Sequence, residues 1–420
     1  MSMVFDPEKY RATGKHFAHY ELPPSPENWE TWFAEAVCDN GYFLAAMFCC
    51  IGGGVVMNSL CVVDPTGKTV VDSHQFFEAG EYSLSTETLD IKMGHNYYRG
   101  NFPVGGIPTS EVYVLDDQNN GAELFYESIV QPTISELPEG VGIGRMSIPQ
   151  TPSFVGWFFQ PHNKITGKLV IRGEEIPITA TGWTDHQMGN TDFFNAVEYS
   201  IWACLPLGEH TLNIFESQLT EKMGSRPIKW LWDWKGEKLY EYCRDCSYYI
   251  ELSGFEEDDV IPRKLLFVFE HSRIRGTISC DFIIPIERIP RGYANRQVMN
   301  GRAAYKCHVN LEIDNEKIDI TVIRPIDVAC TVPKTVESVE ENEGSEELQS
   351  GGFSIDSNLG DVVKNPAGLE LLEKFVPGIS TDPNAKMGHG MPIKVIFGMP
   401  QLGVPKEKLA ELDKELRTIE

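Results

Sequence analysis

From Trp32 to about Ile323 the chain alternates short runs of Val, Ile, Phe, Tyr and Trp with clusters of Gly, Pro, Asn and Asp. The clusters recur every ~8 to 12 residues, which predicts the short antiparallel strands of a sandwich or barrel. The clearest runs are residues 111–115, 123–129, 154–159, 168–172, 197–205, 211–219, 228–234, 265–269, 303–313 and 318–323. Helical periodicity is scarce there, and the connections are too short for crossover helices, so the sheets should be antiparallel.

Residues 41–63 carry no charge and are long enough to span a bilayer. Gly52, Gly53 and Gly54 interrupt them, Asn58 and Ser59 follow, and an Asp-Pro-Thr-Gly turn closes the segment at Asp64. Two buried strands joined by a glycine turn fit that pattern better than a membrane helix.

Beyond Pro333 the pattern changes. Glu337, Glu340, Glu341, Glu343, Glu346 and Glu347 mark a solvated acidic linker, followed by a helix over 366–375, a Pro/Gly-rich loop and a closing helix over 405–419. Leu409, Leu412 and Leu416 share one face of that last helix, a stripe expected to dock on the body of the protein. Residues 378–400 are a candidate cap over a pocket or a neighbouring subunit. The expected organisation is all-β: two antiparallel β domains over 1–192 and 193–333, then a linker and partly helical extension over 334–420.

With 42% hydrophobic and 11% aromatic residues in 420, the chain can build two cores. Its net charge of -25, with no basic patch, disfavours nucleic acid and anionic membrane surfaces as partners. The ten cysteines are scattered rather than framed as a disulfide scaffold, and residues 1–18 contain no secretory signal, so a reducing cytoplasm is expected.

A Walker loop, a strand followed by GxGxxG, HExxH and GxSxG are all missing. Cys243-Arg-Asp-Cys246 is the one CxxC, and without a second pair at finger spacing it reads as strand cysteines. His16 and His19 read as surface residues of an N-terminal arm rather than metal ligands. Neither a metal nor a cofactor is expected.

Three stretches carry a resemblance. Glu30-Thr-Trp-Phe33 with residues 39–44 and 76–100 is similar to the opening strands of the carotenoid 1,2-hydratase-like (AttH-like) lipocalin family. Residues 182–189, Gly-Trp-Thr-Asp-His-Gln-Met-Gly, resemble its Asp-His strand, and residues 202–216 resemble the hairpin that follows. The likeness spans about 15 to 325 and leaves the tail outside it. The family includes carotenoid hydratases, kievitone-hydratase-like enzymes and fungal Diels-Alderase cyclases; it implies two lipocalin-like domains with an apolar pocket within or between them, not one reaction. Met188 and Phe215 stand where the family carries Trp and Tyr, which removes an indole and a phenol from the pattern.

Side chains alternate along a strand, so Trp183 and Asp185 should share one face while Thr184 and His186 point to the other. A carboxyl group in an apolar barrel loses solvation and stays protonated, which makes Asp185 the first candidate for a general acid. His186 could serve as a base on water, or the Asp-His pair could simply tie a loop. Glu30 and Glu216 lie inside apolar strands and must be either paired or functional. Trp32, Trp183, Met188, Glu198, Trp202, Phe215 and Tyr305 are the candidate ligand contacts, the rings offering flat walls or π faces to an unsaturated substrate or a cation.

The function expected is a cofactor-independent hydratase, dehydratase or isomerase acting on a C=C bond of a hydrophobic terpenoid, polyketide or polyphenol. An intramolecular cyclase and a non-catalytic carrier remain open as alternatives, as does oligomerisation through the C-terminal extension.

Overall fold

In the computed structural model, the residues described are 12–20, 28–51, 55–134, 155–189, 197–219, 227–244, 247–255, 261–293, 296–331, 353–355, 357, 359–379, 393, 397 and 406–419. After a short helix α1 (Gly14–Phe17) come β1 (Trp29–Cys38), β2 (Phe43–Ile51), β3 (Val55–Val63), β4 (Thr69–Phe77), β5 (Tyr82–Leu84) and β6 (Asp90–Met93). Next are β7 (Asn96–Asn101), β8 (Thr109–Leu115), β9 (Gly121–Ser128), β10 (Thr133–Ile134), β11 (Val155–Ile171) and β12 (Glu174–Gly189). These twelve form one antiparallel sheet in the order 4-3-2-1-12-11-9-8-7-6-5, with β10 on β11, and it curls into a nearly closed barrel.

The second sheet uses β13 (Val197–Leu207), β14 (His210–Leu219), β15 (Pro227–Lys235), β16 (Lys238–Arg244) and β17 (Tyr248–Ser253). It continues with β18 (Lys264–Glu270), β19 (Ile274–Tyr293), β20 (Arg296–Ile313) and β21 (Glu316–Thr331). Its order is 16-15-14-13-21-20-19-18-17, a half-barrel. The all-β class read from the sequence is the observed one.

The uncharged stretch over 41–63 becomes β2 and β3, paired from Phe43 opposite Val63 to Ile51 opposite Val55; its three glycines lie outside the described residues. Every residue of β3 is buried because both faces are covered. Val56, Leu60 and Val62 enter the barrel interior with Trp32, Phe48 and Tyr98, while Cys61 and Val63 pack outward with Ile286 and Ala304 of the second sheet. Two-sided burial, not lipid, explains the apolar run. No helix among the described residues is long and apolar enough to cross a membrane.

Two expectations need correction. The runs at 154–159 and 168–172 are parts of the single strand β11, whose register shifts between Gln160 and Asn163. Pro161 cannot donate to a ladder, so it sits at that irregularity and imitates a turn in the sequence. The leucine stripe of the last helix is buried among the tail's own helices: α2 (Leu359–Lys364), α3 (Pro366–Phe375) and α4 (Lys406–Leu416) share a core of Leu359, Val362, Leu372, Leu412 and Leu416, with Leu409 at its edge. The tail supplies enough apolar surface of its own to bury the stripe. Contacts divide the chain into two compact units, Met1–Glu257 with Ile261–Arg288 and Gly301–Ala329, and Asp258–Val260 with Ile289–Asn300 and Cys330–Glu420. Both sheets belong to the first unit apart from the far ends of β19, β20 and β21. The acidic linker over 334–352, Cys246, most of residues 378–400 and residues 190–196 lie outside the described residues.

Gly182 holds β12 close to β1. A β-carbon there would stand 2.0 Å from the carbonyl oxygen of Glu35, far inside any tolerated contact. Gly182→Ala should therefore destabilise the fold by about 1–3 kcal/mol or more through forced backbone movement, read as a lowered midpoint in urea unfolding; an unchanged midpoint would show that β1 and β12 can separate freely.

Candidate functional site

β12 lies between β1 and β11, with Trp32 opposite His186 and Phe33 opposite Asp185. The strand alternation holds through this segment, so the Asp-His motif is split across the barrel wall. His186 and Met188 look into the barrel, whereas Trp183 and Asp185 look out at the second sheet.

Inside the barrel His186 is fully buried and stacks flat on Trp32, with ring centroids 4.9 Å apart at 3°. Its Nδ1 faces the carbonyl oxygen of His16 at 2.7 Å; a carbonyl only accepts, so Nδ1 carries the proton. Its Nε2 lies within hydrogen-bond distance of Glu30 Oε1, at 2.7 Å. Glu30 also meets His19 Nδ1 at 2.5 Å through Oε2 and accepts from the Tyr20 backbone N–H at 2.7 Å. Burial pushes the Glu30 carboxyl up, but hydrogen bonds and charge from His186 and His19 outweigh it, and the net shift is downward. Both His186 nitrogens and both Glu30 oxygens are thus engaged. Trp32 Nε1 donates to the Phe17 carbonyl at 2.8 Å, and the Phe17 ring is buried against Phe102. This constellation fastens the N-terminal arm over the barrel. The arm histidines, read in the sequence as surface residues, are half-buried, and the His16 carbonyl and the His19 ring are hydrogen-bonded to His186 and Glu30.

The outward face is built differently. Phe33, Phe159 and Trp183 of the barrel wall meet Trp202, Phe215, Trp230, Trp232 and Trp234 of the second sheet in one aromatic layer. Trp183 stacks on Trp202 at 5.6 Å, and Phe159 stands edge-on to Trp202 and Trp232 at 5.2 and 5.3 Å. Such offset and edge-to-face arrangements suit the ring quadrupoles.

Asp185 is buried at the margin of this layer. Gln187 Nε2 donates to its Oδ2 at 2.6 Å, while Oδ1 has no hydrogen-bond partner among the described residues. Burial, offset in part by Gln187 and reinforced by the charge of Asp327, pushes its carboxyl up to about 8. Glu35, two positions beyond Phe33 on β1, behaves alike. Burial raises it to about 8 despite the nearby Arg302 charge and a hydrogen bond with Trp183. Two carboxyl groups on one face are thus largely protonated near neutral pH. Beside them Arg302 closes on Asp327, with Nη2 to Oδ2 at 2.7 Å, and its guanidinium lies 3.8 Å from the Phe33 ring centroid.

The remaining candidates fall elsewhere. Glu216 faces the other side of the second sheet, where Tyr199 donates to its Oε1 at 2.6 Å and Lys229 lies 3.5 Å from Oε2. Burial raises this carboxyl too, against the pull of Tyr199 and Lys229. Tyr305 donates to the Pro262 carbonyl at 2.8 Å and meets Phe282 edge-on, apart from the aromatic layer. Glu198 is half-buried at a register shift between Val197 and Tyr199, so simple alternation does not relate it to Trp202. Glu35, Arg302, Arg324, Asp327 and Gln187 were not singled out in the sequence. Glu35 carried the same signal as Glu30, an acid in an apolar strand; the arginines come from strands remote in sequence. Among the described residues no group of three or more His, Cys, Asp or Glu could hold a metal ion.

A barrel and a half-barrel packed through an aromatic layer define an all-β, lipocalin-like architecture. The same fold is found in an AttH-like protein of Nitrosomonas europaea, with a TM-score of 0.53 at 12% identity over 79% of this chain and 98% of that one. It is found again in CghA, solved free and with Sch210972, with a TM-score of 0.50 at 11% identity over 79% of this chain and 94% of that one. Kievitone hydratase from Nectria haematococca aligns at a TM-score of 0.46 and 12% identity over 78% of this chain and 98% of its own. No family model matches the sequence, and no curated protein matches it.

Proposed function

We propose that the protein is a cofactor-independent enzyme that adds, removes or shifts a proton at a C=C bond of a hydrophobic small molecule, with Asp185 as general acid. The observation that carries this reading is the Asp185 carboxyl: buried, pushed up to about 8, with Oδ1 lacking a hydrogen-bond partner among the described residues, beside an aromatic wall. A protonated carboxyl in such surroundings can transfer its proton to an alkene carbon or a conjugated carbonyl oxygen. The cation that results would lie beside the aromatic layer that includes Trp183. Water then adds to it and returns a proton to the Asp185 carboxylate, which completes hydration; loss of a neighbouring C–H proton to the same carboxylate completes isomerisation. Glu35, equally protonated, would keep that carboxylate from facing a second negative charge.

The test is incubation of the full chain with a panel of lipophilic alkenes and enones in ¹⁸O-labelled water. Label incorporation that falls about 10²- to 10⁴-fold in Asp185→Asn, with the fold intact, is the expected result. Binding without label or rearrangement across the panel would favour a carrier, and equal turnover in Asp185→Asn would remove this residue from the chemistry.

A further inference from the structure

Arg324, on β21, carries a charge that the proposed acid chemistry leaves unused. Arg302 is matched by Asp327, whereas among the described residues Arg324 forms no ion pair, although the charge of Glu35 acts on it. Among the described residues its Nη2 donates to Thr181 Oγ1 at 2.9 Å, its Nε is buried with no hydrogen-bond partner, and no carboxylate is close enough to pair with it. Its field is nonetheless felt nearby: His162 is pushed down to about 4, first by burial and then by the Arg324 charge. A guanidinium held partly out of water without an anion is unfavourable, and an oxyanion that fits its planar fork relieves the deficit.

Arg324 also stands in line with the candidate acid. Thr181, Trp183 and Asp185 occupy alternate positions of β12 and share its outward face, so Thr181 and Asp185 are about 13 Å apart along the strand. Arg324 and Asp327 are half-buried, while Glu35 and Asp185 are buried. Along the strand the order is therefore cation, indole, acid.

We infer that the ligand of this site is an apolar unsaturated molecule with an anionic head, a carboxylate or an enolate, which pairs with Arg324 while its body runs along Trp183 toward Asp185. The position of the body rests on the proposed function; the preference for an anion rests on Arg324 alone.

Quenching of tryptophan fluorescence by all-trans-retinoic acid and by its methyl ester, titrated into the full-length protein, tests this. The acid should bind at least about tenfold more tightly than the ester, the worth of one charge-assisted hydrogen bond. Arg324→Gln should lower the acid to the affinity of the ester and leave the ester unchanged, and Arg324→Lys should keep a preference for the acid. Equal binding of acid and ester by the wild type, no binding of either, or an equal loss of both in Arg324→Gln would overturn the inference. Asp185→Asn should retain the preference. An anion preference without turnover in labelled water would sink the proposed chemistry alone, and turnover of neutral alkenes with no such preference would sink the headgroup inference alone.

Discussion

Replacing Glu30 by alanine should destabilise the protein by about 3–5 kcal/mol, the usual cost of breaking a buried charged pair by removing one partner. The carboxylate accepts from His186, His19 and the Tyr20 backbone together, so its loss strands a buried imidazole and releases the residues that cross the barrel. Two readouts should move in parallel: the urea unfolding midpoint, and the rate of proteolytic cleavage within residues 12–20. Glu30→Gln, which keeps the shape and one acceptor oxygen, should lose less. A Glu30→Ala protein with native stability and an uncleaved arm would show that the Glu30 hydrogen bonds contribute nothing to holding it.

The second large effect is on stability against pH. Asp185 and Glu35 have ordinary values of 3.8 and 4.5 and rise to about 8 in the fold, so the folded state binds more protons than the unfolded chain between those limits. Their contribution is fully present below the unfolded values and is lost as pH rises through about 8. On the acid side other groups act in the opposite sense: Glu30 is lowered by its histidines, and His162 and His16 are lowered chiefly by burial, so stability falls again as they take up protons. The melting temperature should therefore decline steadily from about pH 6.5 to about pH 9, with a slope set by the difference in bound protons. Asp185→Asn should flatten that decline, and a double replacement with Glu35→Gln should flatten it further. A wild-type curve that is level across this window would mean that both carboxyls are already ionised at neutral pH.

The Asp-His motif shows how far a sequence can be read. Alternation placed Asp185 and His186 on opposite faces, and the pairing with β1 bears that out, because a strand's period of two is fixed by covalent geometry. What it could not supply was which face belonged to which neighbour. His186 finds Glu30 across 156 positions, and Arg302 and Arg324 reach the outward face from β20 and β21. Those meetings are set by the curvature of two sheets rather than by local spacing. Glu35 was within reach, since Phe33 and Val37 flank it on the same face as plainly as Trp32 flanks Glu30. The aromatic layer was visible only as scattered Trp and Phe, because its members lie on six strands and become one surface only when the half-barrel covers the barrel.

The first and last long strands of the barrel sheet are neighbours within it: β1 pairs with β12, Trp29 meeting Gly189. During synthesis β1 emerges well before its partner exists, so one edge of the nascent sheet stays open while most of the intervening strands are made. The outer wall of β2 and β3 waits longer still, until β19 and β20 supply Ile286 and Ala304. Pairings so distant along the chain slow folding and leave apolar edges open to wrong partners. The first sheet by itself is therefore a poor candidate for separate expression, and refolding from denaturant should compete with aggregation more severely as protein concentration rises.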